Sequence, residues 1–132
     1  MLRILKRTLA WFALLLTVSS ALVVTPGGAK DMTAAPPADF PIILAAGMPK
    51  EARDTLNLIH QGGPFPYAKD GVVFSNRERI LPQQQRGFYR EYTVKTPGVR
   101  NRGALRIVCG GISRSVCYFS DDHYLTFKKI KE

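Results

Sequence analysis

Apolar and polar positions divide the chain into three unlike stretches. Residues 8–24 contain no charge, and they follow the basic start Arg3, Lys6 and Arg7. A basic start, a short apolar core and small residues at Ser19 and Ala21 make the layout of a secretory signal, with cleavage after Ala21. An uncleaved membrane anchor is the competing reading, because seventeen residues stand at the short end of what crosses a bilayer. Cleavage is preferred, so residues 1–24 are set outside the fold and a secreted location is expected. Residues 25–37 hold Pro26, Gly27, Gly28, Pro36 and Pro37 among small polar residues and read as a flexible linker. The folded domain is then expected over residues 38–132.

Inside that domain the apolar period changes once. Residues 49–61 read as a helix: Pro49 suits a first helical position, Ala52, Leu56 and Ile59 fall on one face, and Gly62-Gly63 stops the run. Residues 62–71, with two prolines and three glycines, are a loop. Residues 88–95, 104–109 and 116–119 read as strands, with a fourth over 124–130, and turn residues separate them. Short connections join strands only in antiparallel fashion. The pattern therefore predicts an α+β domain, one N-terminal helix packed on an antiparallel sheet of three to five strands. No internal repeat is visible.

Composition narrows the function classes. With 132 residues the chain is too short for a large multidomain enzyme. It carries 19 Lys+Arg against 10 Asp+Glu, and seven Phe and five Tyr set it apart from a disordered basic tail. Only Arg3, Lys6, Arg7, Lys30 and Asp31 precede residue 38, so the domain keeps 15 basic and 9 acidic residues, a net +6. A polyanion or an anionic surface is the expected partner. The two cysteines form no C-x-x-C metal motif, leaving one disulfide or two free thiols. No metal and no cofactor is expected.

Candidate chemistry follows from strand alternation. Tyr89, Glu91 and Thr93 share one strand face, as do Ala104, Arg106 and Val108 on the next strand. If residues 96–103 close a hairpin with Lys95 near Ala104, Glu91 lies opposite Val108 and diagonal to Arg106. A cross-strand ion pair is the ordinary reading of such a pair, and it is worth little when exposed. His123, in the polar turn Ser120-Asp121-Asp122-His123-Tyr124, adds a group suited to proton transfer near neutral pH. A glutamate base, a histidine acid and arginines around a phosphate suffice for in-line displacement at phosphorus. His60, just before the Gly62-Gly63 stop, suits the negative end of the helix dipole and reads as structural.

Several segments occur together in a particular order. They are Asp54-Thr55-Leu56-Asn57-Leu58-Ile59, Gly63-Pro64-Phe65-Pro66-Tyr67, Asp70-Gly71-Val72-Val73-Phe74, Asn76-Arg77-Glu78, Glu91-Tyr92-Thr93-Val94, Thr96-Pro97-Gly98, Arg106-Ile107-Val108 and Asp122-His123-Tyr124. In this order and spacing, over residues 44–130, the chain resembles the secreted bacterial guanyl-specific ribonucleases of the barnase type, above all the small streptomycete members.

The resemblance implies the microbial ribonuclease fold and a set of roles. Glu91 matches the general base that takes the ribose 2′-hydroxyl proton, and His123 the general acid that protonates the leaving 5′-oxygen. Arg102 and Arg106 match the arginines on the scissile phosphate, and Tyr124 a tyrosine that also touches it. The reaction implied is metal-independent cleavage of single-stranded RNA after guanosine, through a 2′,3′-cyclic phosphate. For base choice, the backbone of Ser75, Asn76 and Arg77 matches the groups that meet guanine's acceptor edge. Glu78 matches the carboxylate that takes its two adjacent donors, and Phe74 a ring against the purine. Only guanine offers that donor pair, since adenine has an acceptor at N1. An intracellular inhibitor of the barstar type is implied as a partner, and a monomer is expected.

Three departures from the family pattern stand out. Leu105 replaces an arginine common before Arg106, which implies weaker phosphate affinity. Arg90 precedes the base and would add a positive charge beside Glu91. Close relatives tie their chain ends together, whereas here Cys109 and Cys117 flank Gly110-Gly111. If that segment is a hairpin, the two face each other and form a local disulfide, which export permits. Two rival functions remain: a catalytically idle RNA- or polyanion-binding domain, and the same nuclease used as a membrane-tethered or delivered toxin. The presence of both Glu91 and His123 speaks against the first.

Overall fold

A computed structural model of the chain describes residues 39–132. The expected signal or anchor, the linker and the first residue of the expected domain lie outside the described residues. Among the described residues, no helix is long and apolar enough to cross a membrane.

The helix α1 spans Lys50–Gln61. Pro49 is its N-cap and not its first helical residue: its ψ of 149° is extended, while its carbonyl accepts the amides of Ala52 and Arg53. At the other end Gly62 adopts φ 83°, a left-handed conformation that costs glycine little. The amides of Gly62 and Gly63 then close on the carbonyls of Ile59 and Leu58. The buried face is Ala52, Thr55, Leu56 and Ile59, the expected triad with one threonine whose hydroxyl donates back to the Glu51 carbonyl at 2.8 Å.

Six strands form one sheet: β1 Ile42–Leu44, β2 Val72–Val73, β3 Arg90–Thr93, β4 Arg106–Gly110, β5 Val116–Ser120 and β6 Lys128–Lys131. Their order across the sheet is β1-β6-β5-β4-β3-β2. The helix-on-sheet α+β fold is as expected, with two short strands more than the pattern revealed. One of these, β1, pairs parallel to β6, which the reading of short connections did not foresee. This pairing joins the two ends of the domain, so no short connection constrains it. The last strand begins at Lys128, later than expected, because residues 121–126 are held as a turn.

The sheet buries a core on each face. Against the helix lie Tyr92, Val94, Ile107, Cys109, Cys117, Phe119 and Ile130. On the opposite face Leu81, Tyr89, Val108, Tyr118 and Phe127 form a second cluster, with Phe74 and Tyr124 packed on it. Burial pushes the hydroxyls of Tyr89 and Tyr118 up from their ordinary pKa. Tyr89 satisfies its hydroxyl by donating to the Pro82 carbonyl at 2.9 Å.

Cys109 and Cys117 stand directly opposite each other in the β4–β5 hairpin, 4.1 Å apart at Cα, and are joined by a disulfide. The staple is local, as expected from the hairpin. A loop this short constrains the unfolded chain modestly, by about 2–3 kcal/mol. Reduction should therefore lower the unfolding free energy by about that amount without abolishing the fold, as read by urea denaturation with and without dithiothreitol.

Candidate active site

The register of β3 on β4 places Glu91 opposite Val108 and Thr93 opposite Arg106. This is the expected pairing, and it puts Glu91, Thr93 and Arg106 on the face away from the helix. Arg106 is 2% exposed. Its Nη1 donates to the carbonyls of Arg102, Gly103 and Leu105 at 3.2, 3.0 and 2.8 Å, and its Nε donates to the Tyr124 hydroxyl at 3.0 Å. Among the described residues no carboxylate lies within ion-pair distance of it. Burying an unpaired charge is costly. Carbonyl dipoles offset part of that cost here, and among the described residues Nη2 donates to no protein group.

Arg102 comes from the loop between β3 and β4. Its Nε and Nη2 both donate to the Thr93 hydroxyl, at 2.9 and 2.5 Å, and Nη2 lies 3.7 Å from Glu91 Oε1. Thr93 thus holds the guanidinium beside the carboxylate without closing a short fork between them. Its own amide donates to Asp70 at 2.7 Å. Tyr124 completes the cluster. Burial raises its pKa, the negative charge of Glu91 raises it further, and Arg106 opposes both. The hydroxyl therefore stays neutral as a hydrogen-bond donor.

His123 is exposed, on a turn whose backbone is strained. His123 and Tyr124 both have left-handed φ, 57° and 70°, which costs a non-glycine residue on the order of 1 kcal/mol or more. Ser120, Asp122 and Thr126 hold this turn in place. The Ser120 hydroxyl accepts the Tyr124 amide and donates to Asp122, each at 2.9 Å, and Asp122 takes the hydroxyl and amide of Thr126 at 2.6 and 2.9 Å. The Thr126 hydroxyl, then its amide, push the Asp122 carboxyl down to about 2. Asp121 pairs with Lys128 at 2.7 Å, so both aspartates before His123 have partners of their own. His123 opens on a shallow concavity that Arg102, Gly103 and Ala104 also border.

The loop expected to read a base is also built locally. Asn76 has φ 48°, a conformation asparagine tolerates better than most residues. Its side chain donates to the Leu81 carbonyl at 2.8 Å and accepts the Leu81 amide at 3.1 Å. Among the described residues, the amides of Ser75, Asn76 and Arg77 donate to no protein group. Ser75, Arg77 and Glu78 are exposed. Phe74 stacks on Tyr124, centroids 5.3 Å apart, and meets Phe127 edge-on at 6.0 Å. This packing couples the loop to the arginine cluster.

The structure places the remaining residues away from this chemistry. Arg90 projects to the other sheet face, where its Nη1 donates to the Gly71 carbonyl at 2.8 Å, so the charge expected beside Glu91 points elsewhere. Leu105 packs against the helix-side core, and a longer polar side chain there would have to leave it. His60 meets Glu132 at 3.2 Å at the helix end, a structural place. Sequence reading missed Thr93, Asp70 and the Asp122–Thr126 pair. The last carried a local signal, an acid four residues before a threonine, whereas Asp70 and Thr93 meet only through the fold.

A helix on a mainly antiparallel sheet, with glutamate, histidine, two arginines and a tyrosine around one face, matches one known class. The family model described as ribonuclease matches residues 35–131, and the chain belongs to that family. Guanyl-specific ribonuclease Sa of Kitasatospora aureofaciens is 52% identical over 90 residues, 68% of this chain and 93% of the relative. Guanyl-specific ribonuclease St of Saccharopolyspora erythraea is 48% identical over 89 residues, 67% and 86% of the two chains. Among solved structures, ribonuclease Sa2 in complex with mononucleotides superposes with a TM-score of 0.67 at 45% identity, covering 70% of this chain and 95% of that one. A structure of ribonuclease Sa2 with guanosine-2′-cyclophosphate gives 0.65 at 47% identity, covering 70% and 96%.

Two outcomes follow from the site's construction. Thr93→Val keeps the shape but removes the acceptor. It should cost about 1–2 kcal/mol in urea unfolding and speed hydrogen exchange at Arg102 Nε, while Thr93→Ser keeps both near wild type. Asp122 has a folded-state pKa of about 2, below its ordinary 3.8. Its contribution to stability is full above the ordinary value and is lost as pH falls through the folded one. The stability gap between wild type and Asp122→Asn should therefore shrink from about pH 4 to pH 2, measured by urea unfolding at a series of pH values.

Proposed function

We propose that the chain is an exported endoribonuclease that cleaves single-stranded RNA on the 3′ side of guanosine. The observation that carries this reading is the cluster of Glu91, Arg102, Arg106 and Tyr124 on one sheet face, with His123 at its rim. Ionised glutamate and part-protonated histidine are the ordinary states of these residue types at mildly acidic to neutral pH. Glu91 takes the proton of the guanosine 2′-hydroxyl, and that oxygen attacks phosphorus. The P–O2′ bond forms as the P–O5′ bond breaks, and His123 gives its proton to the departing 5′-oxygen. The product is a 2′,3′-cyclic phosphate. In the second step His123 takes a proton from water as its oxygen bonds to phosphorus, the P–O2′ bond breaks, and Glu91 returns its proton to the departing 2′-oxygen, leaving a 3′-phosphate.

Charge grows on the non-bridging oxygens during both steps. The free Nη2 donors of Arg106 and the remaining donors of Arg102 are aimed from a partly desolvated face, where such interactions are stronger than in water. Tyr124 adds a neutral donor. Base choice rests on the loop after β2. Amides of Ser75, Asn76 and Arg77 face guanine's acceptors, and Glu78 accepts from N1–H and the exocyclic amine. A base read on these edges is unpaired, which limits the substrate to single strands. Support for export comes from the signal-like start and from a disulfide, a bond that persists in oxidising compartments. A monomer in solution and an inhibitor of the barstar type inside the producing cell belong to the same reading.

The test is cleavage of defined oligoribonucleotides in EDTA, with each of the four bases before the scissile bond and with matching DNA as control. RNA alone should be cut, after guanosine, through a cyclic phosphate. Glu91→Gln and His123→Ala should each lower the rate by about 10²–10⁴-fold, and near-normal cleavage by either variant would overturn its role. Glu78→Ala should lower the preference for guanosine more than it lowers stability, and unchanged selectivity would remove the base-reading assignment.

A further inference from the structure

A second concavity lies at the end of β4 and the start of β3. Phe88, Arg90, Gly110, Gly111, Ser113 and Arg114 border it. Two guanidinium groups on one concavity repel each other, so their placement calls for a counter-charge. The protein supplies none: among the described residues neither arginine belongs to an ion pair. Each is anchored instead by a neutral oxygen. Arg90 Nη1 donates to the Gly71 carbonyl at 2.8 Å, and Arg114 Nε donates to the Tyr92 hydroxyl at 2.6 Å. The Arg114 guanidinium also lies over the Tyr92 ring, 5.9 Å from its centroid. A guanidinium has five N–H donors. Each arginine is thus oriented by one of them and keeps the others, with its full charge, for a ligand.

The hairpin that presents Arg114 is built at a conformational cost. Ser113 and Arg114 both adopt left-handed φ, 53° and 57°, and strain of this kind is kept where surrounding structure over-determines it. The disulfide at the base of the hairpin is one such determinant. Glycine at both positions lets neighbours pack close to the backbone: a Cβ on Gly110 would collide with the Phe88 ring, and one on Gly111 would meet Ser115 Oγ at 2.7 Å. Two anchored guanidinium forks beside an aromatic edge suit a tetrahedral oxyanion.

We propose that this concavity is a second phosphate-binding site, taken by a backbone phosphate of the RNA strand whose guanosine occupies the loop after β2. The assignment rests on the ribonuclease reading above. That loop joins β3 through the Phe74 amide and the Tyr89 carbonyl at 3.0 Å, immediately before Arg90. The base loop is therefore attached to β3 next to the concavity. Gly110 stands four positions along β4 from Arg106, roughly 13 Å along the strand. A dinucleotide seated at Glu91 and His123 does not extend that far, whereas a longer RNA does.

The experiment compares wild type with the double variant Arg90→Gln/Arg114→Gln on two substrates, a guanosine-containing dinucleotide and a long unstructured RNA. Dinucleotide kcat/KM should stay within about twofold, which also shows that the variant is folded, while KM for long RNA at low salt rises about fivefold or more. The plot of log affinity against log salt should become shallower by about 0.7 for each phosphate that the variant no longer neutralises. In a second arm, inorganic phosphate should shift the amide resonances of Gly111, Ser113 and Arg114 in wild type but not in the variant. Unchanged long-RNA KM and salt slope, with the phosphate shift present, would overturn the RNA strand as the source and leave a free-phosphate site. No phosphate shift and no change on long RNA would overturn the site. Failure of wild type to cut even the dinucleotide would sink the ribonuclease reading instead, and the phosphate arm would still report on the concavity.

Discussion

A buried arginine without a carboxylate partner is the constraint around which this domain is arranged. Arg106 is almost wholly removed from solvent, and its charge is met by three main-chain carbonyls and a tyrosine hydroxyl. Neutral dipoles stabilise a buried cation less than an ion pair does. Positive potential therefore remains around Arg106, and among the described residues its Nη2 donates to no protein group. Those same hydrogen bonds reel in the loop that carries Arg102 and tie down the ring of Tyr124. One side chain thereby sets the positions of two others, and removing its charge would leave several buried acceptors unsatisfied.

Glu91 is kept from neutralising that potential by geometry. Antiparallel register gives it Val108 as its cross-strand neighbour and leaves Arg106 on the diagonal. Arg102, which is near enough, is drawn aside by the Thr93 hydroxyl. The carboxylate thus sits in a field of positive charge without being locked into a fork by either guanidinium. Thr93 takes its own position from Asp70, so the turn after the helix is linked to Arg102, beside Glu91, through Thr93.

Strain is placed where the chain must present a polar group against its local preference. The left-handed pair His123 and Tyr124 lifts the histidine outward and turns the tyrosine inward, and the Ser120–Asp122–Thr126 network holds them there. Asn76 does the same for the loop after β2 by committing both ends of its amide to Leu81. Phe74 stacked on Tyr124 joins the two regions into one packed surface. The disulfide secures the β4–β5 hairpin.

Much of this was legible in the amino-acid order. Helix period, strand alternation and glycine stops are local properties, so α1, the helix-on-sheet class, the β3–β4 register and the shared face of Glu91 and Arg106 could be read from spacing alone. The disulfide was a conditional reading, true if residues 109–117 form a hairpin, and the hairpin exists. Tertiary structure decided the rest. The strand β1, Ile42–Leu44, is three apolar residues with no alternation between faces, too short to announce a strand by period, and it is fixed by pairing with the far end of the chain. Arg90 and Leu105 differ from Glu91 and Arg106 by one position each, and the pleat sends them to the opposite face. The Arg102–Thr93–Asp70 chain joins residues that are 9 and 23 positions apart. Contacts of that kind depend on where the folded backbone passes, because a hydroxyl or a carboxylate in the sequence carries no sign of which distant donor it will meet.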